Sequence, residues 1–160
     1  MARSKFNVDD DKLKRSHNGI VFDSILEMKF YRDVLCPLVE SGRITTCELQ
    51  KPYELQPGFE RGDKKVKAVT YVADFYIVLD DGKEYLIDTK GCPDSVAILK
   101  RKMFWYRYPE VDYYWVCYSK IDGGWCDYEF VKKQRYARKK AKKLVEKEKE
   151  KMEEINNGEN

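Results

Sequence analysis

Apolar positions fall into short runs whose spacing changes along the chain, and these changes set out an order of elements. Ile20 to Phe22 is a brief apolar run, and Asp23 and Ser24 after it offer an N-cap for a helix running toward Cys36. Pro37 is expected to end or kink that helix. Ile44 to Leu55 mixes β-formers with polar residues and closes on Gln56-Pro57-Gly58, a strand followed by a turn. Arg61 to Lys67 then reads as a basic loop. Thr70 to Leu79 and Glu84 to Thr89 are rich in Val, Ile, Tyr and Phe, with Asp80-Asp81-Gly82 between them as a hairpin signal. Both runs carry apolar residues on both faces, the mark of a sheet covered on each side.

Gly91 and Pro93 break the chain, and Asp94 or Ser95 is placed to cap a helix through Val96, Leu99, Met103 and Tyr106. Pro109 marks the following loop, and Val111 to Tyr118 reads as a buried strand parallel to the one ending at Thr89. Gly123-Gly124 makes a turn, Trp125 to Val131 a further strand, and Lys132 to Ile155 a long charged helix. The core order is therefore α, β, β, β, α, β, an α/β fold with a mixed central sheet flanked by helices. The 160 residues suit one domain. We expect it over residues 19–131, preceded by a flexible polar arm at 1–18 and followed by a charged helical extension at 132–160.

Charge changes this picture through its distribution, since a net charge of +3 says little. Lys and Arg gather at Lys64 to Lys67, Lys100 to Lys102 and Lys132 to Lys143, clusters that suit a phosphate backbone. The five cysteines are scattered without a C-x-x-C pair, so neither a zinc site nor a disulfide framework is expected. His17 is the only histidine, which argues against histidine triads and multi-histidine metal sites. No apolar run of about 18 residues and no signal-like leader is present, so we expect a soluble, cytoplasmic protein with no membrane partner.

Chemistry concentrates around the hairpin. Asp88 and Lys90 stand two apart at the end of an apolar strand, so their side chains share a face. A three-residue loop with Gly82 in the left-handed conformation sets Asp74 opposite Asp88; a two-residue Asp81-Gly82 turn sets it opposite Thr89, facing away. Glu27 continues the helical stripe of Tyr31, Val34 and Leu38, and an acid on an apolar stripe needs a partner. Carboxylates converging on one point repel one another, and a divalent cation compensates them most simply. An oxygen-rich set favours Mg2+, with Mn2+ as substitute.

Glu27, Tyr71-Val72-Ala73-Asp74-Phe75 and Ile87-Asp88-Thr89-Lys90-Gly91 together resemble the PD-(D/E)XK nuclease superfamily, most closely phage junction-resolving endonucleases and related uncharacterised phage proteins. The resemblance covers about Gly19 to Ser119, with Ala73 in place of a frequent proline and Asp88 in place of a frequent glutamate. It implies a restriction-endonuclease-like core, metal ligation by Asp74, Asp88 and Glu27, and activation of water by Lys90. It further implies a Mg2+-dependent endodeoxyribonuclease acting on branched or junction DNA in phage DNA processing. Symmetric junction cleavage needs two sites, and so a homodimer.

Other readings stand beside these. Ser24-Ile25-Leu26-Glu27 is also a capping box, in which the glutamate bonds the helix start. Arg61, Lys64, Lys65 and Lys67 precede the Asp74 strand and are candidates for contacting a nucleic-acid backbone, as are Lys100 and Lys102. Lys132, Lys133, Arg135, Arg138 and Lys139 are further candidates, although a solvated face paired with Glu146 to Glu154 explains such a run equally. Tyr113, Tyr114, Trp115 and Tyr118 read mainly as core. The alternatives in function are a catalytically inactive nucleic-acid-binding module and an RNA-directed nuclease.

Overall fold

Ser24 starts the first helix because its hydroxyl accepts the Glu27 backbone N–H, satisfying a donor that has no partner inside the helix. The computed structural model describes residues 12–158. Its elements are a 3-10 turn at Lys12–Arg15, β1 (Ser16–His17), β2 (Ile20–Val21), α1 (Ile25–Phe30), a π-helical turn at Tyr31–Leu35 and α2 (Cys36–Glu40). They continue with β3 (Ile44–Gln56), β4 (Phe59–Arg61), β5 (Lys64–Val66), β6 (Val69–Leu79), β7 (Glu84–Thr89) and α3 (Ser95–Arg107). β8 (Tyr113–Ser119), a 3-10 turn at Lys120–Asp122, β9 (Gly124–Asp127) and α4 (Tyr128–Gly158) complete the chain.

Pro37, expected to end or kink the helix before it, does not end it. Lacking an N–H, it removes one rung of the α-helical ladder, and the turn ahead of it widens so that the Cys36 N–H reaches back to the Tyr31 carbonyl. The helix then resumes as α2 instead of ending.

Five strands form one sheet in the order β3-β6-β7-β8-β9, with β7 and β8 parallel and every other neighbouring pair antiparallel. Adjacent residues of the central strands serve opposite faces. Ile87 and Val116 pack with Phe22, Met28, Phe30 and Phe75 on the α1 side. Leu86 and Trp115 pack with Tyr71, Ala73 and Phe104 on the α3 side. Both faces of the sheet are therefore covered by helices, as the apolar strands led us to expect. Pro52 is tolerated because β3 is an edge strand, where a missing N–H leaves no ladder bond unmade.

Three sequence expectations need correction. The polar arm expected over residues 1–18 is ordered from Lys12: Phe22 and Arg15 exchange a backbone bond of 3.0 Å, and the His17 ring meets Tyr31 edge-on at 6.2 Å. Residues 1–11 lie outside the described residues. The basic loop is a hairpin, β4 pairing with β5 across Gly62-Asp63, with Gly62 at φ +58°. The strand expected over Trp125 to Val131 stops at Asp127, whose carboxylate accepts the Phe130 N–H at 2.9 Å and starts α4 early, leaving Val131 buried on a helix.

α4 is held to the body over its first turns. Arg138 makes a two-pronged contact with Asp122 at 2.7 and 3.0 Å, while Arg101 joins α3 to α4 through Glu129 at 2.6 Å. The side chains of residues 139–150 are all exposed, as the charged composition of this stretch requires. No helix among the described residues is long and apolar enough to cross a membrane.

The β6–β7 turn takes the three-residue form. The Leu79 N–H bonds the Lys83 carbonyl at 2.8 Å across Asp80, Asp81 and Gly82, and Gly82 sits at φ +82°. Pairs run from Val78–Glu84 to Phe75–Ile87. Continuing this register brings Asp74 level with Asp88. Gly82→Ala places a Cβ in a left-handed conformation, and we expect it to cost about 1 kcal/mol. A urea titration showing an unchanged midpoint for this variant counts against Gly82 as the residue that fixes the register.

Candidate active site

Each candidate residue is delivered by a different local device. Glu27 lies in the first turn of α1, 7% exposed. Its Oε1 accepts the Ser24 hydroxyl at 2.7 Å, and its Oε2 accepts the Asp23 N–H at 3.3 Å and the Gln50 side-chain amide at 3.5 Å. The glutamate thus bonds the helix start, although through the Asp23 N–H and the Ser24 hydroxyl and not the Ser24 N–H of a full capping box, and both carboxylate oxygens are engaged.

Asp74 sits where β3 and β6 exchange faces together. Tyr71 and Ala73 belong to the core on the α3 side, whereas Phe75 and Ile77 belong to the α1 side. On β3, Tyr53 and Leu55 pack with the first group, Cys47 and Leu49 with the second. The exchange falls between the pairs Leu49–Phe75 and Lys51–Ala73, at Gln50, whose φ of +54° is left-handed. Beside this irregularity the β6–β7 ladder ends, and the Asp74 carboxylate takes the place of a backbone partner. Its Oδ2 accepts the Thr89 N–H at 2.7 Å and the Thr89 hydroxyl at 3.0 Å. Register alone set Asp74 beside the Asp88 side chain; the exchange of faces turns it onto Thr89.

Asp88 is 1% exposed at the end of β7. Its Oδ2 receives the Tyr71 hydroxyl, the Tyr113 hydroxyl at 3.2 Å and the Lys90 ammonium at 2.5 Å. The Tyr71 and Tyr113 oxygens also lie within hydrogen-bonding reach of each other, so the single Tyr113 proton is shared between Tyr71 and Asp88, and the Trp115 indole N–H donates to the Tyr113 oxygen. Oδ1 is buried and has no hydrogen-bond partner. Lys90 shares the Asp88 face as its spacing foretold, with Nζ also 5.8 Å from the Trp115 ring.

The four residues act on one another electrostatically. Burial pushes the Asp74 carboxyl well above the usual carboxylate range, and the charges of Asp88 and Glu27 add to the effect, while Lys90 and the Thr89 N–H oppose it. Burial likewise raises Glu27 against the lowering effect of its bond to Ser24, with Asp23 raising it further and Lys90 lowering it. Tyr71 and Tyr113 are pushed up by burial first and by the negative charge of Asp88 second. Such crowding of acids is unfavourable in the absence of a cation.

A divalent cation fits this donor set on one observation in particular: a buried carboxylate oxygen without a partner is costly, and a hard cation satisfies it. Asp88 and Asp74 are the residues that would hold it. Among the described residues no three His, Cys, Asp or Glu side chains are gathered closely enough to form a ready-made metal cage. Glu27 in particular already spends its oxygens on the helix start.

The basic candidates divide into two groups. Arg61, Lys64, Lys65 and Lys67 lie on or beside the β4–β5 hairpin, which continues the β3–β6 ribbon, and Lys65 is 3.9 Å from Glu60. Lys100 bonds the Thr70 carbonyl at 2.8 Å on the same ribbon, and Lys102 is exposed on α3. Lys132, Lys133, Arg135, Arg138 and Lys139 lie on α4, which starts from the edge strand opposite β3. In this second group Arg138 is committed to Asp122 and Lys132 lies 3.6 Å from Glu129, whereas Lys133, Arg135 and Lys139 are exposed.

Gln50, Tyr71, Thr89 and Tyr113 were not singled out by the sequence. Tyr71 and Tyr113 read there as strand aromatics, and a hydroxyl aimed at a buried acid leaves no mark on apolar periodicity. Gln50 carried one usable signal, a polar residue two places before a proline in an apolar strand.

The raised acids give a signed expectation. A carboxyl raised in the fold stabilises it fully below the unfolded pKa, and this contribution is lost as pH rises through the folded value. Asp74→Asn keeps the acceptor for Thr89 and removes the charge. We expect it to stabilise the cation-free protein by about 1 kcal/mol near neutral pH and to flatten its stability–pH curve. Thermal melts across pH in a chelator check this, and a variant less stable than the parent at neutral pH contradicts it.

No curated protein matches the sequence. One family model matches residues 3–122, spanning the hairpin, the carboxylates and both helical flanks of the sheet. The chain therefore belongs to the family described as Protein of unknown function (DUF1064).

Proposed function

We propose that the protein is a metal-dependent nuclease of the PD-(D/E)XK kind that hydrolyses phosphodiester bonds in DNA, with branched or junction DNA as its substrate. The observation that carries this reading is the almost wholly buried Asp88, with Oδ1 lacking a partner and Lys90 2.5 Å from Oδ2, while Asp74 of the neighbouring strand is held on Thr89 close enough to feel its charge. The element order α1, β3, β6, β7, α3, β8 agrees with the α, β, β, β, α, β core that the resemblance implies. The preference for branched DNA rests on that resemblance alone.

In this reading Asp74 and Asp88 bind Mg2+, or Mn2+ in its place. A divalent cation bound there supplies an acidified water and neutralises charge building up on the phosphodiester. Lys90 stands beside Asp88 with its side chain 22% exposed, where it is available both to a water and to a phosphate oxygen. Glu27 holds the start of α1 and adds negative potential. The β4–β5 hairpin and α3 offer Arg61, Lys64, Lys67 and Lys102 to the backbone, and cutting both strands of a junction requires a homodimer.

The test uses labelled four-way junction, flap, single-stranded and duplex DNA, and an RNA of equal length, with and without Mg2+ or Mn2+. We expect metal-dependent cutting, strongest on branched DNA, abolished in Asp88→Ala and lowered by about 10²-fold or more in Lys90→Ala. Cutting of RNA in preference to every DNA supports the RNA-directed alternative. Binding without cutting under all conditions supports the inactive binding module and rules out the enzyme.

A further inference from the structure

A carboxylate has two oxygens with about four lone-pair positions between them. Around Asp88 every donor falls on Oδ2: the Tyr71 hydroxyl, the Tyr113 hydroxyl and the Lys90 ammonium. Oδ1, equally buried, has none. The tyrosines come from β6 and β8, the strands on either side of β7, so the carboxylate is gripped from both flanks of its own strand. An indole N–H only donates, so the contact from Trp115 makes the Tyr113 oxygen an acceptor and leaves its one proton for Asp88 directly or for Tyr71, whose own proton goes to the acid. Packing leaves these rings little freedom: Phe104 lies 6.0 Å from the Tyr71 ring and 4.8 Å from that of Tyr113, and the two tyrosine rings are 5.6 Å apart.

We propose that Tyr71 and Tyr113 are positioning residues that pin Asp88 through Oδ2 and thereby reserve Oδ1 for a divalent cation. The proposal rests on the cation-binding reading of the site. A freely turning carboxylate would share its donors between both oxygens and would have to lose some of them on binding a cation. A pinned one presents a single bare oxygen from the start, so less ordering is left to the binding step. Lys90 completes the arrangement, because its Nζ, 2.5 Å away, also falls on Oδ2 and leaves Oδ1 bare.

Phenylalanine separates this role from mere core filling, since it keeps each ring and removes only the hydroxyl. The experiment measures Mn2+ binding by the electron spin resonance of the free ion, on the full chain, for Tyr71→Phe, Tyr113→Phe, their combination, Asp88→Asn and Phe104→Leu. We expect affinity to fall about 10- to 100-fold in the double tyrosine variant, by less in each single one, and to hold in Phe104→Leu, which disturbs packing alone. Circular dichroism checks that each variant is folded, and the single variants decide the matter if the double one is not. Parental affinity in folded tyrosine variants, with Asp88→Asn impaired, overturns the positioning role and leaves the cation site intact. Absence of Mn2+ binding in the parent, or equal binding by Asp88→Asn, overturns the cation site and the positioning role together.

Discussion

A carboxyl group enclosed near the end of a central strand is the constraint around which this protein is arranged. Asp88 is almost wholly buried, and taking a carboxylate charge out of water costs several kcal/mol unless donors and opposite charge surround it. The neighbouring strands supply two of those donors, Tyr71 from β6 and Tyr113 from β8, and Lys90, the residue that follows β7, supplies the third. Sheet order, strand register and the packing of α3 beneath the aromatic rings are in this sense all part of one acid's solvation. A shift of one residue in any of the three strands would turn a hydroxyl or the ammonium to the other face.

The second organising feature is the shared exchange of faces in β3 and β6. A regular ribbon at this register would direct Asp74 and Asp88 to one face, in direct repulsion. The irregularity at Gln50 moves the Asp74 carboxylate onto the Thr89 N–H and hydroxyl, where it replaces a missing ladder bond. The two acids stay close enough for Asp88 to raise the Asp74 pKa, yet each has its own hydrogen-bonded anchor. Strain of this kind at a non-glycine residue persists only where surrounding structure enforces it, and here it coincides with the most charged part of the interior.

The site and the rest of the fold accordingly pull in different directions. The cores on the two sheet faces are apolar and well filled, while between them lies a group of raised acids and one unpartnered oxygen. The ribbon and hairpin that extend from the same strands carry exposed cations toward solvent, so local negative charge in the interior is set beside positive charge outside it.

Much of this was legible in the chain. The hairpin at Asp80-Asp81-Gly82 was legible with two registers left open, of which the three-residue form with a left-handed Gly82 is adopted, and Asp88 and Lys90 share a face because strands repeat every two residues. The helix starts at Ser24 and Asp94 are likewise local chemistry, whereas the helix carries on past Pro37 through a widened turn that the sequence did not foretell. Local rules failed where residues satisfy two patterns at once. Trp125 to Val131 has the composition of a strand, yet Asp127 caps a helix inside it, and Gly62-Asp63 folds a supposed loop into a hairpin. What only tertiary structure decided is how the acids are partnered: the left-handed Gln50, the turn of Asp74 onto Thr89, and the hydroxyls of Tyr71 and Tyr113 on Asp88. Sequence periodicity records which face a side chain takes, and these contacts join separate strands by hydrogen bonds whose partners are fixed only when the sheet assembles.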